Sequence, residues 1–97
     1  MADSNRDIVI RFGELKDAET IASFSINMAR ETDDLKLDPR VVVEGVKSVM
    51  RDAAKGLYLV AEDKKSKRLV GQLAIAYEWS DWSNSYFWLM QGVWGEV

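Results

Sequence analysis

Ninety-seven residues with 13 Lys and Arg against 16 Asp and Glu carry a net charge of −3, which excludes the basic footprint of a nucleic-acid-binding domain. At 47% hydrophobic, with one Pro and six Gly, the chain is globular and of single-domain size, large enough for a core yet small for an enzyme. The absence of Cys and His excludes disulfides, Cys/His zinc sites, Cys nucleophiles and Ser-His-Asp triads together, leaving acid–base work to Asp, Glu, Tyr, Lys or water.

The start, Met1 to Asp7, is polar and has no signal-peptide core, with Met1 to Arg6 reading as a loose lead. No run approaches the roughly 20 apolar residues that span a bilayer, so a cytoplasmic protein with no membrane partner is expected. Ile8-Val9-Ile10-Arg11-Phe12 alternates, which predicts a first strand with Ile8, Ile10 and Phe12 on one face and Gly13 at its end. Asp17 is placed to cap a helix in which Ala18, Ile21, Ala22, Ser25, Met28 and Ala29 recur at helical spacing and which fades around Glu31 to Asp34.

Asp38-Pro39 marks the start of a second helix, with Val42, Val46, Val49, Met50 and Ala53 along one face and Gly56 as its C-cap. Val41-Val42-Val43 also suits a strand, but two marked ends and three turns of repeat favour the helix. Leu57 to Glu62 and Leu69 to Trp79 read as strands two and three. Their connection, Asp63-Lys64-Lys65-Ser66-Lys67, suits a solvated hairpin tip better than a phosphate contact. On strand three Leu69, Leu73, Ile75, Tyr77 and Trp79 share a face with Gly71. Gln72, Ala74, Ala76 and Glu78 form a second face with room for something to lie against it.

Four Trp is a high count, and three of them fall between residues 79 and 88. After the turn Glu78 to Asn84, the apolar run from Ser85 suits a strand covered on both faces, yet no residues remain to cover it. The order β-α-α-β-β-β predicts an α+β fold, an antiparallel meander with two helices packed on it, as a single domain over 1–97.

Two stretches carry a family likeness. One is Leu57-Tyr58-Leu59-Val60-Ala61-Glu62 with Leu69-Val70-Gly71-Gln72-Leu73; the other is Tyr77-Glu78-Trp79-Ser80-Asp81-Trp82 followed by Phe87 to Trp94. With the element order, they make residues 8 to about 94 resemble the first half of a GNAT-type N-acetyltransferase. The Trp-rich turn and following strand are similar to those of a bacterial subgroup of that family.

The resemblance implies acetyl transfer from acetyl-CoA to a small-molecule or peptide amine. It implies a bulged fourth strand on which the backbone amides of Val93, Trp94 and Gly95 hold the acetyl carbonyl and pantetheine arm. It also implies an acceptor site over the turn and the end of the first helix. There Glu78 would act as general base, Trp79, Trp82 and Tyr86 would wall in a cationic amine, and Asp81 and Glu31 would orient it. Each has a plainer alternative: Glu78 as a solvent-facing residue, the aromatics as anchors of the turn on the first helix, Asp81 as a turn former, Glu31 as a surface acid.

Gly92 and Gly95 depart from the family pattern, which favours Ser and a β-branched residue there. The glycine-rich turn that cradles the coenzyme A pyrophosphate, the helix it opens and the fifth strand have no counterpart. These departures lead us to expect a truncated acetyltransferase domain, inactive as a lone monomer. The alternative is a non-catalytic interaction module that forms a homo-oligomer, a dimer through its C-terminal strand.

Overall fold

A computed structural model describes residues 7–95, so the polar lead expected over Met1 to Arg6 lies outside the described residues. The first alternating stretch forms β1 (Ile8–Phe12), followed by a short 3-10 turn over Leu15–Asp17 and helix α1 (Ala18–Asp33). Helix α2 is Pro39–Arg51, and three strands follow: β2 (Gly56–Asp63), β3 (Leu69–Ser80) and β4 (Ser85–Gly95). The strands make one antiparallel sheet in the order β1-β2-β3-β4, and the α+β arrangement read from the sequence is the one observed.

The helices begin and end for local reasons. At α2 the Asp38 carboxylate accepts the Arg40 N–H at 3.0 Å, and Pro39 occupies the first turn, where its missing N–H costs nothing. Helix α1 closes on Asp34 at φ 54, whose N–H bonds back to the carbonyls of Ala29 and Arg30. Asp17 does precede α1, but it is no side-chain cap: its carboxylate is taken by Arg11 and by the Glu14 N–H. Gly56 does not cap α2 either. The helix stops at Arg51, Asp52 accepts the Ala54 N–H, and Gly56 opens β2 at φ 144. A Cβ there would sit 2.2 Å from the Ile75 carbonyl oxygen, so only glycine fits.

The core lies between one sheet face and the two helices. Helix α1 buries Ala18, Ile21, Ala22 and Phe24, α2 buries Val46, and the sheet supplies Val60 and Leu69, with Tyr58 and Trp94 packed around them. Ile21 is wholly buried, worth about 2 kcal/mol against leaving it in water. The row Arg11↔Val60↔Gln72↔Trp94 runs across all four strands on this face.

One face assignment is corrected, and the second face of β3 gains its occupant. Leu69 does not share the face of Leu73: the register slips between Ala61 and Glu62, which pairs Glu62 with Leu69 and turns Leu69 into the core. The face of Gln72, Ala74 and Ala76 is the one the helices occupy, small side chains letting α1 and α2 approach. The bulky face carries no helix, and Phe12, Trp88, Met90 and Val93 on it are more than half exposed.

Gln72 is a local flaw in this core. It is 4% exposed, and neither its amide nitrogen nor its amide oxygen has a partner among the described residues. Since an unpaired buried polar group costs about 1–3 kcal/mol, Gln72→Met should raise stability by about 1 kcal/mol or more in urea unfolding. Lower stability in this variant would mean that the amide is satisfied in solution.

Candidate active site

Strand β4 is the edge of the sheet, paired with β3 from Ser85↔Ser80 to Gly95↔Gly71 and with no described strand on its other side. In an antiparallel pair alternate residues turn N–H and C=O to the partner and the others turn them outward, so a free edge carries a row of unused donors. The ladder breaks once. Ala74 pairs with Gly92 and Ile75 with Met90, leaving Gln91 as an unpaired bulge.

The bulge reverses the alternation of β4. Before it, Tyr86 and Trp88 lie on the uncovered face against Trp79 and Tyr77, with ring centroids 5.2 and 5.4 Å apart. Beyond it, Gly92 and Trp94 turn toward α1. Trp94 stacks on Phe24 at 6.3 Å, and a Cβ on Gly92 would meet the Met28 methyl at 2.9 Å.

The site residues expected from the sequence are distributed over both faces. Val93, Trp94 and Gly95 follow the bulge and Gly92 on the free edge, Trp94 half-buried and the other two exposed. Glu78 is exposed, pairs with Phe87 and lies on the helix-side face, about 13 Å along the strand from Ala74. Glu31 is exposed on the last turn of α1, one turn beyond Met28. Trp79 and Tyr86 make an edge-to-face pair on the opposite face from Glu78. Asp81 and Trp82 form the turn, and Trp82 is 98% exposed, so it does not anchor the turn on α1.

Tyr86 shares a cavity of about 350 Å³ with Tyr77, Trp88, Ala53 and Ala54. The sequence reading passed over Tyr77 and Trp88 as site residues, although the alternation of β3 and β4 already put them beside Trp79 and Tyr86.

A second cluster was not anticipated. Arg11 projects from β1 toward α1 and spans two carboxylates, with Nη1 2.8 Å from Asp17 Oδ2 and Nε 2.8 Å from Glu62 Oε1. A second nitrogen reaches Asp17 Oδ1 at 3.1 Å, making the Asp17 contact bidentate. Asp17 is only 6% exposed. Burial pushes its carboxyl up, but the Arg11 hydrogen bonds, the Glu14 N–H and the Arg11 and Lys16 charges outweigh this and hold it below the usual carboxylate range. The hydrogen bond from Arg11 likewise lowers Glu62, and the Asp17 and Glu62 bonds raise the Arg11 guanidinium further.

Several solved structures that share this arrangement are described as possible, probable or GNAT family acetyltransferases. A possible acetyltransferase from Clostridium difficile 630 is 39% identical, with a TM-score of 0.83 over 92% of this chain and 57% of that one. A probable acetyltransferase matches at 16% identity and TM-score 0.75 over 90% of this chain and 56% of that one. A GNAT family acetyltransferase from Staphylococcus aureus subsp. aureus USA300_TCH1516 matches at 9% identity and TM-score 0.65, over 91% of this chain and 62% of that one. No protein-family model matches the sequence, and no curated protein does. The described strands and helices are therefore the first part of a GNAT-type acetyltransferase fold, as the sequence resemblance implied. The chain spans somewhat over half the length of the solved proteins it matches. None of the described helices is long and apolar enough to cross a membrane.

The Arg11 cluster sets the response to acid. Asp17 and Glu62 have folded pKa values below their unfolded ones, so their contribution is complete above the unfolded values near ~4 and is lost as the pH falls through the folded values. Arg11→Met should cost about 3 kcal/mol at neutral pH, because it strands a buried carboxylate. Its stability should then change less than that of the parent between pH ~5 and ~2. Urea titrations across this range measure both, and parallel pH curves for parent and variant would contradict the assignment.

Proposed function

We propose that the chain forms the catalytic-strand portion of a GNAT-type N-acetyltransferase, moving an acetyl group from acetyl-CoA to a small-molecule or peptide amine. The observation that supports this most is the 39% identity to a possible acetyltransferase over 92% of this chain. Acetyl-CoA, when bound, supplies an activated thioester. Backbone N–H groups among Val93, Trp94 and Gly95 suit its carbonyl and pantetheine amides, since an unpaired edge offers strand-like partners without help from side chains.

Glu78 is the residue we assign to receive the acceptor's proton, and Glu31 lies on the same side of the sheet. Trp79, Asp81, Trp82 and Tyr86 would form the acceptor's aromatic and acidic surround at the β3–β4 turn. The bare apolar face supports a second reading, a non-catalytic module that dimerises through β4. A strict monomer in light scattering at all concentrations would remove that reading.

Titrating acetyl-CoA into the labelled protein should move the backbone amide signals of Gly92 to Gly95 saturably. Saturable binding that leaves those amides unmoved, or no binding, would overturn the assignment of the edge. With an accepted amine, Glu78→Gln should lower kcat ~10²-fold with acetyl-CoA affinity unchanged; an unchanged kcat would remove Glu78 from the reaction.

A further inference from the structure

A second cavity lies away from β4. It is a cleft of about 700 Å³ between α1 and the end of the β2–β3 hairpin, and it is built mostly from polar side chains. Four cations line it, Arg11, Lys16, Lys67 and Arg68, against two carboxylates, Asp17 and Glu62, leaving an excess of two positive charges. In a chain of net charge −3 this is a local reversal of sign.

The two carboxylates are already engaged. Both accept charge-assisted hydrogen bonds from Arg11, at 2.8 Å in each case, Asp17 through both of its oxygens and Glu62 through Oε1. The surplus sits on the rim, where Lys16 enters from the turn before α1 and Lys67 from the hairpin tip. The charges of both act on Glu62, and that of Lys16 also acts on Asp17. Between them the exposed side of α1 presents Thr20, Ser23 and Asn27, a row of neutral hydrogen-bonding groups at helical spacing. Phe24 and Leu69 supply an apolar patch on the wall.

We infer that this cleft binds a small organic phosphate, with Lys16 and Lys67 on the phosphate oxygens and Thr20, Ser23 and Asn27 hydrogen-bonded to the ligand. Lysines are flexible point charges suited to phosphate; the Thr20 hydroxyl and the Asn27 amide can donate to the ligand, and the Ser23 hydroxyl, which donates to the Thr20 carbonyl at 2.7 Å, can accept from it. The volume fits a nucleotide-sized molecule. The apolar patch takes the organic part. The cleft is separate from the free edge of β4: Phe24 stands between them, stacked on Trp94. The inference therefore does not rest on the acetyl-transfer reading.

The test is a titration of the labelled full chain with pyrophosphate and, in parallel, with adenosine 5′-diphosphate, at fixed ionic strength. We expect saturable shifts at the amides of Thr20, Ser23, Asn27 and Lys67, with the nucleotide binding more tightly than pyrophosphate. Lys16→Gln and Lys67→Asn should each weaken binding about tenfold, the loss of one charge-assisted contact. Asparagine is chosen because Lys67 has φ 63, a conformation Asn tolerates. Both positions are exposed, so unchanged thermal midpoints will show that the fold is intact. Shifts spread over lysines throughout the chain, no saturation, or equal affinity in the double variant would overturn the inference. Pyrophosphate binding with no gain for the nucleotide would overturn the organic part of it.

Discussion

Gln91 has no partner across the β3–β4 ladder, and the two halves of β4 therefore present opposite faces to α1. Strict alternation would put Tyr86, Trp88, Met90, Gly92 and Trp94 on one side. The inserted residue instead sends Trp94 down onto Phe24 and leaves Trp88 and Met90 exposed. Without it Trp94 would turn away and the core would lose an aromatic stack, or, with Trp94 kept inward, Tyr86, Trp88 and Met90 would turn toward the helices. Gly92 completes the fit, since its missing Cβ leaves space for the Met28 methyl.

The same residue bears on the proposed chemistry. A bulge bends its strand and re-aims the groups beside it, and here it stands one residue before Val93, Trp94 and Gly95, on an edge with no described strand beyond it. Packing and the proposed acyl-group contact are in this way two consequences of one inserted residue. At the other end of the sheet Arg11 performs a comparable service, tying β1, the turn before α1 and the end of β2 through Asp17 and Glu62. It also leaves the neighbouring lysines unneeded for charge balance inside the cleft.

Much of this was legible in the sequence. Alternation gave β1 and β3, Asp38-Pro39 located α2, and the Trp-rich turn pointed to the family. What was not legible depends on contacts between distant residues. Asp17 and a capping aspartate look alike until β1 brings Arg11 beside it. Leu69 matches Leu73 in parity until the register slip opposite Glu62 turns it inward. Gly56 reads as a helix stop because glycine often is one, whereas the reason for it is the Ile75 carbonyl of a strand some twenty residues on. The site was only partly readable because backbone donors have no side-chain signature, and because Glu78 and Trp79, adjacent in sequence, point to opposite faces.

Amide hydrogen exchange along β4, resolved residue by residue, tests the central claim most directly. If β4 is a free edge with a bulge at Gln91, amides directed to β3 should be protected while those between them exchange as solvent-exposed groups. The alternating pattern should change phase at the bulge. Uniform protection from Gly92 to Gly95 would show the edge to be covered, and an unbroken alternation through Gln91 would show that the bulge is absent. Either result would contradict the account.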